Sequence, residues 1–277
     1  MRSAFLDGFL EKGLKPWDIS REAPNFGLKI PGEENKYFYV WFDAPIGYIS
    51  TTQRYCEANG LDVEKDYWMS EDCEIHHFIG KDIVYFHTLF WPAMLMAAGL
   101  NHPKAVHVHG FLTVNGERMS KSRGTFINAR TYLEHLDPLY LRYYFSSKLS
   151  GRSDDLDLSF EDFVNRVNAE LVNKIVNLAS RSMQFLSKRL EGKVGTLPTD
   201  GIELLDGIRA KLPEIEAAYR SLDFAKALRM VGEIADTGNL YFQEKAPFHV
   251  IKDDPEAARA ICTTAVNVCR IVATAVW

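Results

Sequence analysis

The 277-residue sequence predicts an α/β region followed by an all-helical one. Up to about residue 127, short apolar runs of strand length alternate with longer helix-like segments. That is the order a parallel sheet with helical crossovers requires. Beyond Asn128 the apolar residues recur every three or four positions, as on one face of a helix. Cap and turn residues fall at the joints between these segments.

Residues 1–14 read as a short amphipathic helix with Phe5, Leu6, Phe9 and Leu10 on one side and Gly13 closing it. Residues 16–34 are punctuated by Pro and Gly and are irregular. The aromatic run 37–43 is nearly continuous, the mark of a strand buried on both faces, and it stops at Ala44-Pro45. A helix follows to about Asn59. Residues 75–79 form a second buried strand, after which Gly80-Lys81-Asp82 turns into a helix carrying Ile83, Phe86, Leu89 and Phe90. A third strand, 105–109, leads into a hairpin whose turn is Asn115-Gly116. About three strands are visible, half of a doubly wound sheet.

Residues 128–150 give two short helices broken at Asp137-Pro138, and 150–157 a polar connection. Ser159 is placed to cap a long helix, with Glu161 and Asp162 in its first turn where the helix dipole favours acids. Val164, Val167, Leu171, Ile175 and Leu178 mark its core face. Further helices at 203–219, 225–244 and 256 to the end, with a break at Ala246-Pro247, complete a bundle. A first helix with nothing to pack against, and an apolar helix that stops at Trp277, are expected of a piece of a larger protein.

With 47% hydrophobic and 25% charged residues, the chain has material for one large or two moderate domains. A net charge of -5 excludes a uniformly basic surface, so any nucleic-acid contact must come from local patches. Cys56, Cys73, Cys262 and Cys269 show neither a C-x-x-C pair nor a histidine at finger-like spacing, so no zinc site or disulfide framework is legible. No apolar run reaches the roughly 18 residues of a membrane span, and the first residues lack a signal-peptide pattern. The expected setting is the cytoplasm, with no membrane role.

Chemistry concentrates in Arg118-Met119-Ser120-Lys121-Ser122, followed by Arg123 and Gly124. Three cations spaced by serines supply ammonium, guanidinium and hydroxyl donors suited to a polyphosphate; a solvated basic turn has the same composition. Ligands of open parallel sheets bind beyond the carboxyl ends of the strands. That rule selects Asp43-Ala44-Pro45, Gly80-Lys81-Asp82, His109-Gly110 and the basic loop as walls of a single cleft. Gly80 would admit close backbone approach, and Asp82 either accepts from a ribose hydroxyl or merely caps its helix. Ile83 and His87 share a helix face. His87 as a satisfied core histidine and Trp41 as plain core are the alternatives.

The blocks WFDAPIGY at 41–48, HFIGKDIVYFH at 77–87, HVHGFLTVNGERMSKSRGTFI at 107–127 and VNKIVNLASR at 172–181 resemble, in this order, the methionyl-tRNA synthetases of class I. The resemblance implies a split Rossmann catalytic domain followed by an α-helical anticodon-binding bundle. Residues 1–35 would be the tail of a connective-peptide insertion and 36–127 the second Rossmann half with its KMSKS-like loop. Residues 128–158 would be a stem-contact segment and 159–277 the bundle. The HIGH motif of the family is not in this sequence, so the resemblance implies a fragment inactive alone. It further implies ATP with Mg2+, methionine and tRNA(Met) as ligands, and confines any zinc to the upstream insertion.

By the same resemblance, Lys121 and Arg118 are catalytic. Gly80, Asp82, His109, Leu112, Arg118, Ser120, Lys121 and Ser122 bind ATP, and Trp41, Ala44, Pro45, Tyr48, Ile83 and His87 line the methionine pocket. Arg21 and Asp82 would orient the amino acid, and Asn177, Arg181 and Phe248 would read the anticodon. Two positions depart from the family pattern: Arg118 stands where it has Lys, and Phe248 where bacterial relatives often carry Trp. The rival readings are a non-enzymatic tRNA-binding module and another class I synthetase.

Overall fold

The aromatic run that opens the α/β region does not stay extended. Only Lys36–Phe38 is strand (β2), paired antiparallel with Ser20–Glu22 (β1), and Val40–Asp43 is already a helical turn (α1) leading to the helix Ile46–Asn59 (α2). The expected strand over 37–43 is thus corrected. Phe38 and Phe42, four residues apart, stack at 5.0 Å, and Trp17 packs on both Tyr39 and Phe42. Rings that meet at a four-residue spacing favour a helical turn, and such packing overrides β-propensity.

The computed structural model describes residues 8, 11, 13–24, 26–120 and 126–276. Phe5, Leu6, Phe9 and Leu10 of the expected first helix lie outside the described residues. By packing, the chain divides into Met1–His107 and Val108–Trp277.

In the first unit, His76–Gly80 (β3) pairs with Ala105–His109 (β4). The helix expected between them runs unbroken from Lys81 to Ala97, tight at Lys81–Ile83, wide at Phe86–Phe90 and regular over Trp91–Ala97 (α3). Trp68, Trp91 and Leu95 form a small core beneath.

In the second unit, Leu112–Val114 (β5) and Glu117–Arg118 (β6) make the hairpin. Asn115 and Gly116 both have positive φ, 49° and 80°, as a mirror-image two-residue turn demands. The polar connection expected over 150–157 ends instead in a strand, Leu156–Leu158 (β7), parallel to β5. The Asp157 carboxylate accepts from the Thr113 hydroxyl and the Gly116 amide, both at 2.7 Å, so one acid ties hairpin to strand. The Gly116 amide and Thr113 hydroxyl hold its pKa below the ordinary carboxylate value.

Side-chain caps open the next three helices, the one at Ser159 as expected. Asn128 opens Ala129–His135 (α4), Asp137 opens Pro138–Ser146 (α5), and Ser159 accepts from the Asp162 amide to open Phe160–Arg166 (α6). From there the chain winds through the wide stretch Val167–Val176 into Asn177–Arg189 (α7). Wide turns close on the fifth residue rather than the fourth, so the buried face drifts in phase. Of the expected core face only Val164 is exposed, with its neighbour Phe163 buried in its stead; Val167 and Ile175 pack against the cores, and Leu178 is buried with Ser182 and Leu186.

The helix expected over 203–219 is two, Thr199–Arg209 (α8) and Leu212–Arg220 (α9), with Pro213 in the first turn of the second. Phe224–Lys245 (α10), the turn Pro247–Val250 (α11) and Pro255–Val276 (α12) complete the bundle. At Gly238 an added Cβ would lie 2.8 Å from both Leu178 and Val268, so the missing side chain is what lets α7, α10 and α12 meet. Contrary to the expectation from the sequence, α12 is by length and composition apolar enough to cross a membrane. Its Ala258, Cys262, Ala265, Val268 and Val272 belong to the bundle core. Burial there pushes the Cys262 thiol up to about 11.

Candidate functional site

The first unit gathers most of the proposed side-chain pocket around one hydrogen-bonded chain. The Ala44 and Pro45 carbonyls accept from the Gly47 and Tyr48 amides, which sets Tyr48 in the first turn of α2. Its hydroxyl lies 2.9 Å from His87 Nε2, and His87 Nδ1 lies 3.0 Å from the Ile83 carbonyl. A carbonyl only accepts, so Nδ1 donates to Ile83, and Nε2 is the nitrogen that meets the Tyr48 hydroxyl. His87 is 1% exposed and Tyr48 39%, so the imidazole reaches outward through the tyrosine hydroxyl. Trp41 stacks on Phe86 at 4.5 Å and meets His87 edge-on at 5.9 Å.

Sequence reasoning missed two partners of this group. The Trp91 indole donates to His77 Nε2 at 3.1 Å, and the His77 ring packs against Tyr48 at 4.7 Å and His87 at 5.4 Å. Burial, then the neighbouring His87, lowers the His77 pKa. The signal available was alternation: in β3 the period of two that turns Ile79 inward turns His77 inward as well. Tyr48 and His77 also border a cavity of about 480 Å³, with Tyr67, Trp68 and Cys73 among its walls.

Other predicted residues fall nearby in sequence with different surroundings. Gly80 has φ -71°, open to any residue, and Asp82 is exposed. Arg21 pairs loosely with Asp18 and lays its guanidinium over the Tyr39 ring at 3.9 Å.

In the second unit, His109 Nδ1–H donates to the Gly110 carbonyl at 2.8 Å. Gly110 is the glycine that close approach requires: a Cβ there would overlap the Asp154 carbonyl and lie 2.6 Å from the Asp155 nitrogen. Leu112 is partly exposed, Arg118 is exposed with its guanidinium 5.2 Å from the Phe111 ring, and Ser120 is half-buried. Lys121 and Ser122 lie outside the described residues. Among the described residues no three His, Cys, Asp or Glu side chains gather to hold a metal ion, so neither Mg2+ nor zinc finds a protein-made cage there.

In the bundle, Asn177 and Arg181 are half-buried on α7, and the Arg181 guanidinium sits 5.2 Å from the Phe242 ring. Asn173 and Lys188 are exposed. The stripe is thus exposed at its ends and half-buried at Asn177 and Arg181, where it borders the buried face of α7 rather than opposing it. Phe248 is 43% exposed on α11 and packs against His249.

Residues 2–183 match the family model for class I tRNA synthetases (M), so the α/β region and the helices after it are those of a class I aminoacyl-tRNA synthetase. Residues 192–276 match the anticodon-binding domain of methionyl-tRNA ligase. The chain belongs to the methionyl-tRNA synthetase family. It is 51% identical over 267 residues to a methionine–tRNA ligase of Rhodopirellula baltica, covering 96% of this chain and 39% of that protein. Mycobacterium tuberculosis methionyl-tRNA synthetase in complex with methionyl-adenylate superposes with a TM-score of 0.86 at 28% identity, over 99% of this chain and 54% of that one. Its apo form gives 0.81 at 26% identity, with 99% and 53% covered. The chain thus spans about four-tenths of the curated relative and about half of the solved structures.

Proposed function

We propose that this chain is part of a methionine–tRNA ligase, which activates methionine with ATP and transfers it to tRNA(Met). The observation that carries the reading is the Tyr48–His87–Ile83 chain with Trp41 at its edge. A soft thioether suits such an aromatic wall. Trp41, Ala44, Pro45, Tyr48, Ile83 and His87 line the amino-acid pocket; Gly80, Asp82, His109 and Leu112 flank the nucleoside. The four segments 1–35, 36–127, 128–158 and 159–277 keep the roles given by the resemblance, in a cytoplasmic enzyme with no membrane role.

In the first step a methionine carboxylate oxygen attacks the ATP α-phosphate, the bond to the β-phosphate breaks, and pyrophosphate leaves with the electron pair. The protein positions the reactants and stabilises phosphate charge. Lys121 and Arg118, with Ser120 and Ser122, hold the triphosphate, and Mg2+ enters with the ATP. In the second step the terminal ribose hydroxyl of tRNA takes the methionyl group and AMP departs. Asn177, Arg181 and Phe248 read the anticodon.

Methionine-dependent pyrophosphate exchange tests the reading. The full-length protein carrying this sequence should exchange with methionine and with no other amino acid, while the 277-residue chain alone should be silent. A full-length protein that binds tRNA(Met) without exchange would favour a tRNA-binding module, and exchange driven by another amino acid would make it a different class I synthetase.

A further inference from the structure

We propose that His77 is a positioning residue for the amino-acid pocket: locked by Trp91, its ring holds the Tyr48 hydroxyl and the His87 imidazole where a thioether side chain meets them. The inference rests on the reading above that Tyr48 and His87 belong to that pocket.

The lock follows from donor chemistry. An indole N–H can only donate, and Trp91 is 2% exposed, so its proton needs a buried acceptor. His77 Nε2 accepts it at 3.1 Å, which leaves the His77 proton on Nδ1. A second proton would set donor against donor inside a site that is 6% exposed at His77. Burial and the nearby His87 both oppose that second proton. The ring is therefore neutral and fixed in one tautomer.

Position gives the lock its use. His77 comes from β3, Trp91 from α3, Tyr48 from α2 and His87 from the wide turn Phe86–Phe90. The His77 face is tilted 48° to Tyr48 and stands at 71° to His87, so one ring buttresses both partners of the 2.9 Å hydrogen bond. Tyr48 is partly exposed, and a ring with solvent on one side needs a wall on the other to keep its hydroxyl in place.

Three substitutions in the full-length protein separate this role from plain packing. His77→Phe keeps an aromatic ring but strands the Trp91 proton, and should raise the methionine KM about tenfold, the order expected when a buried donor loses its acceptor. The ATP KM and kcat should stay within about twofold. His77→Gln restores an acceptor oxygen and should recover most of the methionine KM. Trp91→Phe combined with His77→Phe removes the stranded donor and should be no worse than His77→Phe alone. An unchanged methionine KM in His77→Phe, equal losses in His77→Phe and His77→Gln, or ATP and methionine KM rising together would each overturn the proposal.

On the 277-residue chain, imidazole nitrogen NMR should show His77 protonated at Nδ1 and bonded to the Trp91 indole proton. The opposite tautomer would overturn the lock whatever the enzyme does. A full-length wild type without methionine-dependent exchange would instead sink the functional reading, so the two failures are distinguishable.

Discussion

Gly110→Ala puts the close approach at the end of β4 to a direct test. A Cβ at this position overlaps the Asp154 carbonyl and lies 2.6 Å from the Asp155 nitrogen, both backbone atoms. Reaching ordinary contact requires a shift of roughly 1 Å. Two hydrogen bonds hold that segment in place: the Phe111 amide to the Asp155 carboxylate and the Leu156 amide to the Phe111 carbonyl, both 2.8 Å. Losing them costs about 1 kcal/mol each, and the overpacking strain adds about 1–3 kcal/mol. The expected destabilisation is therefore about 3–5 kcal/mol. Gly207→Ala is the matched control, since its Cβ meets nothing within 4 Å in the last turn of α8. It should stabilise by about 0.4–1 kcal/mol. Guanidinium unfolding of the chain, followed by far-UV circular dichroism, measures both. A Gly110→Ala chain within about 0.5 kcal/mol of wild type would refute the packing argument.

Three further outcomes are expected. The Lys148 ammonium, 2.7 Å from Asp162, leads the groups that hold the Asp162 carboxyl below its usual range. That contribution is complete above the unfolded carboxylate pKa and is lost as pH falls through the lower folded value, below 3.8. Asp162→Asn should flatten this part of the acid-unfolding curve, and an unchanged acid slope would show the pair to be inert. In the full-length protein, Lys121→Ala should slow methionine activation at least tenfold, the loss of about 1.4 kcal/mol of transition-state stabilisation, with equilibrium methionine binding much less affected. Arg181→Ala should cost about 1–3 kcal/mol of cognate-anticodon discrimination and Phe248→Ala a similar amount through lost stacking, on the order of 1–3 kcal/mol, whereas Phe248→Trp should be neutral or favourable. Aminoacylation of cognate and anticodon-mutated tRNA compares them; equal losses on both would place anticodon reading elsewhere.

Features encoded within a few neighbouring residues were legible in the sequence. The 105–109 strand, the Asn115-Gly116 turn and the cap at Ser159 each depend on local dihedral preference or a side chain reaching its own backbone. The family was legible too, because Tyr48, Ile83 and His87 sit in motif blocks whose order points to it. Tertiary structure alone decided the rest. Residues 40–43 turned helical because Trp17 and neighbouring rings offered packing that a strand would forgo. Leu156–Leu158 became a strand because β5, more than forty residues earlier, presented an edge to pair with. The tautomer of His77 was set by a tryptophan fourteen residues away on another element. A pairing partner distant in the chain leaves no mark on local periodicity, so which edge, ring or donor a residue meets is known only once the chain has folded.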